Sequence, residues 1–250
     1  MVSKRQEGET AKQQGVSFVV VRLVVSWLLV LCLDHRAASA AGRAVQFRGD
    51  NGRVLTGLMM EASLRPSPAV VLVPMLGGGK EDWQAVAQRL SDANIAALAI
   101  DLPSAAIPED TAALPSWHAD IRAAITYLVS RPDVRPGAIG VVGASLGANL
   151  TVLAAVADPR VRSIVLVSPS LDYRGVRIEA PMRQYGARPA LLIASLKDPY
   201  AARTVRDLSH EPPGPRDVRW SETPAHGTRL LAAEPDLVRA LVEWFQRTLG

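Results

Sequence analysis

Residues 141–149 read VVGASLGAN, a stretch that predicts a buried strand, a sharp turn carrying Ser145, and the start of a helix. A serine on such a turn takes a strained backbone conformation at the end of the strand. Strand and helix approach closely there, so the positions two residues before and after the serine must be small. Gly143 and Gly147 meet this requirement. We therefore interpret Ser145 as a nucleophile rather than as part of an ordinary strand-to-helix turn.

The segments on either side of this turn support that interpretation. Residues 138–142 form an apolar run that is typical of a buried strand, and residues 146–157 are rich in alanine and leucine. Such a composition favours a helix packed on a sheet. Because the pattern Gly-x-Ser-x-Gly also arises by chance in a chain of this length, the flanking strand and helix carry the prediction.

The rest of the chain from residue 41 to residue 250 alternates between strand and helix patterns, without an internal repeat. Residues 44–47 and 54–61 flank the turn-forming sequence GDNG and predict an antiparallel hairpin at one edge of the sheet. Further strands are predicted at 69–74, 95–101, 138–142, 161–167, 190–194 and 217–221, and helices at 81–93, 117–130, 146–157 and 235–249. This order predicts one α/β domain with a mostly parallel central sheet and helices on both faces.

Composition bounds the classes of function. The chain has 250 residues, of which 48% are hydrophobic and 21% charged, as in an ordinary globular protein. The net charge is +4, and the Lys and Arg residues are scattered among acidic residues. Because no basic patch with interleaved aromatic residues is present, no nucleic-acid partner is expected. The sequence carries no metal-ligand cluster, and glycines 77–79 lack the Gly-Lys-Ser/Thr ending of a nucleotide loop. No metal or cofactor is therefore predicted, and the oligomeric state is left open.

The first 40 residues have a different character. Basic residues precede an apolar stretch at residues 16–33, and Ala38-Ser39-Ala40 offers the small side chains that signal peptidases require. We expect an export signal that is cleaved after Ala40, which places the mature protein in the periplasm or outside the cell. The alternative is a retained membrane anchor, because the apolar stretch approaches the ~20 residues that span a bilayer.

A nucleophilic serine needs a base, and in a parallel sheet its partners are sought where the chain leaves the carboxyl ends of the strands. His226 is the best candidate, since it lies between the last predicted strand and the last predicted helix. The base needs a carboxylate that fixes its tautomer. Asp198 follows the strand at 190–194 and suits this role, while Asp172, after the preceding strand, is the competing candidate. Asp101 precedes the serine and is expected to brace a loop.

The chain order Ser145, Asp198, His226 is the order found in the α/β-hydrolase superfamily. Over residues 45–250 the chain resembles the small dienelactone-hydrolase-like members of that superfamily. The resemblance implies a serine hydrolase that cleaves carboxylic esters or related small acyl compounds through an acyl-enzyme intermediate. An acyltransferase that uses the same three residues is one alternative. A non-catalytic binding protein that keeps the fold is the other.

The oxyanion loop departs from the family pattern. In many relatives the loop after the third strand begins His-Gly, whereas here Pro74-Met75 stands at that place. Backbone N–H groups can stabilise an oxyanion whatever the side chain is, so Leu76 and Leu146 are the predicted donors. Met75 is the alternative to Leu76. A flexible glycine loop without a catalytic part is also consistent with this sequence.

The sequence also predicts the size of the pocket. Residues 169–189, between two predicted strands, are too few for a large lid domain, so we expect an open site and a substrate of modest size. Tyr173, Met182 and Tyr185 are candidate lining residues, and packing within the domain explains each of them equally well.

Overall fold

The computed structural model describes residues 42–210, 214 and 216–250. The predicted export signal or membrane anchor at residues 1–40 lies outside these residues. Within the described ranges, no helix combines the length and the apolar character needed to cross a membrane.

The strands follow the predicted pattern closely. In chain order the described residues form β1 (Arg43–Arg48), β2 (Val54–Met60), β3 (Ser67–Val73), β4 (Ala96–Ile100), β5 (Val134–Ala144), β6 (Val161–Val167), β7 (Asp172–Tyr173), β8 (Val176–Arg177), β9 (Ala190–Ser195) and β10 (Arg216–Ser221). The central sheet has the order β1-β2-β4-β3-β5-β6-β9-β10. Its first two pairings, β1 with β2 and β2 with β4, are antiparallel, and the others are parallel.

The helices cover both faces of this sheet. They are α1 (Gln84–Asp92), α2 (His118–Val129), α3 (Leu146–Ala157), α4 (Glu179–Tyr185), α5 (Pro199–Ser209), α6 (Thr228–Ala233) and α7 (Pro235–Leu249), and 3₁₀ turns at Lys80–Trp83 and Thr111–Trp117 precede α1 and α2. Two clusters of buried apolar side chains lie on opposite sides of the strands. All residues of β3 and β4 are buried, as expected when both faces of a parallel sheet are covered. The predicted α/β fold is confirmed.

The segment between β6 and β9 contains only the two-stranded hairpin β7–β8 and the short helix α4. It therefore holds no large lid, in agreement with the prediction. Met182 and Tyr185, two of the candidate lining residues, are instead buried in the core, and Tyr173 packs against that core. The Tyr185 hydroxyl donates a hydrogen bond to the carbonyl of Pro189 at 2.8 Å. Packing, and not a pocket, accounts for these side chains.

Candidate active site

The turn between β5 and α3 holds Ser145 in an uncommon conformation. Its φ is 52° and its ψ is −121°, a region that costs a residue with a side chain about 1–3 kcal/mol. A Cβ atom on Gly143 would lie 2.1 Å from the carbonyl oxygen of Gly147, and one on Gly147 would lie 2.3 Å from the carbonyl oxygen of Pro74. Both glycines are thus required by close backbone approach, as their spacing predicts.

His226 lies in the loop of residues 222–227 between β10 and α6, which we call the histidine loop. Its Nε2 atom is 2.8 Å from Ser145 Oγ, and its Nδ1 atom is 2.5 Å from Asp198 Oδ2. An ionised carboxylate only accepts hydrogen bonds, so Nδ1 carries the proton and Nε2 is left to accept from the serine hydroxyl. The structure brings the three predicted residues together in one hydrogen-bonded chain.

Asp198 has two structural contacts, one through each oxygen. Oδ2 faces the imidazole, while Oδ1 accepts the N–H of Ala201 at 3.2 Å and caps the N-terminus of α5. The competing candidate Asp172 lies in the hairpin β7–β8 and pairs with Arg177 at 2.8 Å. This pairing lowers the pKa of the Asp172 carboxyl. Asp198, and not Asp172, is the carboxylate in contact with His226.

The side chains of Ser145, His226 and Asp198 differ in their exposure to solvent. The imidazole of His226 is 47% exposed and the carboxylate of Asp198 is 15% exposed, while Ser145 is half-buried. A depression of about 420 Å³ borders His226 and Asp198, with the lining residues Lys197, Asp198, Pro199, Pro224, Ala225, His226 and Arg229. A cavity of about 620 Å³ between α1 and α7 contains none of the three residues. The imidazole of His226 is therefore accessible from solution.

The two predicted oxyanion donors lie on neighbouring segments. Leu146 is the first residue of α3, where the N–H groups lack partners within the helix and carry the positive end of its dipole. Leu76 lies just beyond β3. Because Gly147 touches the carbonyl of Pro74, the loop after β3 passes beside the first turn of α3. The assignment of Leu76 and Leu146 as oxyanion donors stays a prediction.

Met75 takes the place of the expected glycine and packs on the histidine loop. Its sulfur atom is 3.6 Å from the hydroxyl of Thr228, and a Cβ atom on Gly227 would lie 2.8 Å from that sulfur. Asp101, which directly follows β4, accepts the backbone N–H of Lys80 at the end of this loop at 3.0 Å and pairs with its ammonium at 2.6 Å. This hydrogen bond raises the pKa of Lys80. Asp101 therefore braces the loop, as expected.

Three buried serines near the site were not predicted from the sequence. Ser168 directly follows β6, and Ser195 and Ser221 are the last residues of β9 and β10. All three make side-chain hydrogen bonds to the histidine loop. A serine at the end of each of these three strands is the signal that could have revealed them.

The arrangement has a definite chemical capacity. A hydroxyl, an imidazole and a carboxylate within hydrogen-bond reach can carry out nucleophilic attack with proton transfer. Within residues 42–210, 214 and 216–250, no group of three or more His, Cys, Asp or Glu side chains is arranged to hold a metal ion.

The sequence model of the alpha/beta hydrolase family matches residues 70–248, which is more than half of the chain. The chain belongs to this family. Solved structures agree with this alpha/beta hydrolase in fold. The dienelactone hydrolase from Anabaena variabilis is similar with a TM-score of 0.71 and 20% identity, covering 84% of this chain and 98% of the other. The carboxylesterase EstE1 is similar with a TM-score of 0.64 and 18% identity, covering 84% and 90%.

Curated relatives of this alpha/beta hydrolase match part of it at higher identity. The polyketide transferase ATR5 of Stachybotrys chlorohalonatus is 28% identical over 134 residues, which cover 52% of this chain and 45% of the relative. The thiohydrolase apmlB of Arthrinium phaeospermum is 32% identical over 131 residues, which cover 50% and 42%. The chain thus spans less than half the length of these curated relatives.

Proposed function

We propose that this alpha/beta hydrolase is a serine hydrolase that cleaves carboxylic esters or related acyl compounds. The observation that carries the proposal is the hydrogen-bonded chain from Ser145 through His226 to Asp198. An imidazole that is held by a carboxylate on one side and by a hydroxyl on the other is the arrangement that activates a serine.

In the proposed reaction, Ser145 Oγ attacks the acyl carbonyl carbon while its proton passes to His226 Nε2. The oxyanion that forms is stabilised by the N–H groups of Leu76 and Leu146. The C–O or C–S bond then breaks, and His226 returns its proton to the leaving group. Water, activated by the same imidazole, attacks the acyl-enzyme and regenerates the free serine.

The test is labelling of the full chain with a fluorophosphonate probe, which reacts only with activated serines. We expect the wild-type protein to be labelled and Ser145→Ala and His226→Ala to lose labelling by ~10³-fold or more. Ser130→Ala is the matched control, because it removes a hydroxyl at the end of α2, which donates to the carbonyl of Tyr127. A folded wild-type protein that resists the probe would indicate a binding protein on a hydrolase scaffold and would overturn the proposal.

The substrate class is tested next, on protein that reacts with the fluorophosphonate probe. The open depression beside His226 supports small substrates, and the name of the thiohydrolase relative adds thioesters to the panel. Short-chain p-nitrophenyl esters and short-chain acyl thioesters are compared by kcat/KM. Equal loss of both activities in Ser145→Ala would assign both to one site.

Acyl transfer is the second candidate function, because a polyketide transferase is among the relatives. A transferase uses the same acyl-enzyme and differs only in the acceptor that resolves it. Turnover of p-nitrophenyl acetate is measured with increasing concentrations of small alcohols. Formation of a transesterified product in excess of acetate would favour the transferase, and acetate alone would favour the hydrolase.

A further inference from the structure

The histidine loop is fixed to the sheet by hydroxyl groups on both sides of His226. Ser195 Oγ donates to the carbonyl of Thr223 at 2.5 Å, and Ser168 Oγ accepts the N–H of Gly227 at 3.0 Å. Both serines are buried, with 0% and 2% of their surface exposed. The two contacts therefore lie before and after the imidazole along the chain.

Ser195 also holds the segment that carries the carboxylate. Its hydroxyl accepts the N–H of Lys197 at 3.0 Å, and its backbone carbonyl accepts the N–H of Asp198 at 3.1 Å. The same hydroxyl thus bonds the Asp198 segment as an acceptor and the histidine loop as a donor. An alanine at this position would remove the acceptor of the Lys197 N–H and would leave the Thr223 carbonyl with the N–H of Ala225 as its donor.

Ser168 shows a second sign of constraint. Its φ is 50°, in the left-handed region that a serine rarely occupies, and such a conformation persists only where the surroundings over-determine it. Its own N–H donates to the carbonyl of Ile193 on β9 at 2.8 Å. Gly227, its partner, lies against Met75 and Ala144, next to the turn that bears Ser145.

We propose that Ser195 and Ser168 are positioning residues that set the distance of His226 from Asp198 and from Ser145. This assignment rests on the proposed function. The two serines touch no reacting atom and act through the backbone of the histidine loop. A displacement of about 1 Å of a catalytic group can lower a rate by ~10²-fold, so losing either tether is expected to impair chemistry more than binding.

The experiment compares Ser195→Ala with Ser163→Ala in the full chain. Ser163 is a matched control, because it is also fully buried and accepts hydrogen bonds from Trp244 and Thr248. It lies on β6, five residues before Ser168, roughly 16 Å away along an extended strand. Each variant is followed by fluorophosphonate labelling, by p-nitrophenyl acetate turnover, and by the downfield proton resonance of the His226 Nδ1–H group.

For Ser195→Ala we expect kcat and the maximal labelling rate to fall by ~10²-fold, KM to stay unchanged, and the downfield resonance to broaden or vanish. Ser163→Ala should keep the wild-type rates and the resonance. If Ser195 has a purely structural role, Ser195→Ala should lower the unfolding free energy, as Ser163→Ala does, and its folded form should keep the wild-type rates. That equality would overturn the assignment.

Three further outcomes separate this assignment from folding defects and from the proposed function. If Ser195→Ala does not fold, Ser168→Ala tests the other tether, with the same expected loss and the same overturning result. A wild-type protein that does not react with the probe overturns the proposed function and this assignment with it. A reactive wild type with an equally reactive Ser195→Ala overturns the assignment alone.

Discussion

The serine turn and the histidine loop lie side by side and are held in different ways. The turn is fixed by backbone packing, because Gly143, Gly147 and Pro74 of the neighbouring β3 loop meet at distances that leave no space for a Cβ atom. The histidine loop is fixed by side-chain hydroxyls, since Ser168 and Ser195 reach it from the ends of β6 and β9 and Ser221 from the end of β10, directly before the loop. The nucleophile is therefore held by backbone packing and the base by side-chain hydrogen bonds.

This difference has a consequence for how each part tolerates change. A substitution in the serine turn destabilises it through steric overlap. The histidine loop is destabilised when a substitution removes one of its hydrogen-bond partners, which are spread along the chain. Substitutions whose effects on turnover and on the unfolding free energy are measured separately can test whether the turn and the loop differ in this way.

The largest expected effect comes from the carboxylate that orients the base. Asp198→Asn should lower kcat by ~10⁴-fold, on the order of 5 kcal/mol in transition-state free energy, because an amide cannot replace the carboxylate that fixes the tautomer of His226. The unfolding free energy should change little, since an asparagine oxygen can still cap α5. Turnover and urea unfolding of the same sample separate the two effects.

Asp172→Asn is the control for this change. It removes the exposed ion pair with Arg177 on the hairpin β7–β8 and should leave kcat at the wild-type value. A large loss of turnover in Asp172→Asn, with none in Asp198→Asn, would show that the wrong carboxylate has been assigned.

The contrast between the two parts also explains what the sequence could predict. The sheet, its antiparallel edge and the turn at Ser145 depend on local patterns: apolar runs of strand length, glycines at fixed offsets, and alternation with helices. The hairpin β7–β8 and the helices α4 and α6 were not predicted, because each is too short to show a periodic pattern. Helix α5 was also missed, although its 11 residues carry an apolar stripe and Asp198-Pro199 marks its start. The chain order of Asp198 and His226 indicated their roles, but only the folded sheet decides between Asp198 and Asp172.

The buried serines could not be assigned from the sequence for a related reason. Ser195 bonds a residue 28 positions away and Ser168 bonds one 59 positions away. Serine is common and is usually found at the surface, so a single serine gives no signal of burial. Only the recurrence of serine at the ends of β6, β9 and β10 is visible in the sequence, and its meaning depends on knowing that these three ends meet.

An effect of intermediate size is expected from Gly147, in the serine turn. Gly147→Ala places a Cβ atom 2.3 Å from the carbonyl oxygen of Pro74 and should lower the unfolding free energy by about 2–3 kcal/mol. In an unobstructed helix the same change stabilises by up to ~1 kcal/mol, so the sign of the effect is diagnostic. Gly137→Ala is the control, because its Cβ atom would meet nothing within 4 Å. Chemical denaturation of both variants measures the difference, and a stabilised Gly147→Ala would contradict the steric account.

The smallest expected effect lies at the start of the histidine loop and depends on pH. Hydrogen bonds from Ser221 and Thr223 lower the pKa of the Glu234 carboxyl. Because folding lowers this pKa, the stabilising contribution is complete above ~4.3, the value for glutamate in an unfolded chain, and is lost as the pH falls through the folded value. Wild type should therefore exceed Glu234→Gln in unfolding free energy near neutral pH, by less than ~1 kcal/mol because solvent screens the carboxylate, and the difference should disappear in acid.

Denaturant unfolding of wild type and Glu234→Gln from about pH 7 down to about pH 3 measures this difference. Ser221 accepts the N–H of Thr223 at 2.9 Å and donates to Glu234, so it connects Glu234 to the histidine loop. The rate of fluorophosphonate labelling near neutral pH is therefore also compared between wild type and Glu234→Gln. If the loop is held through this hydrogen bond, Glu234→Gln should react slightly more slowly with the probe than the wild type does. A difference in unfolding free energy that stays constant with pH would show that the Glu234 charge does not hold the loop, and the loop would then depend on the buried serine hydroxyls alone.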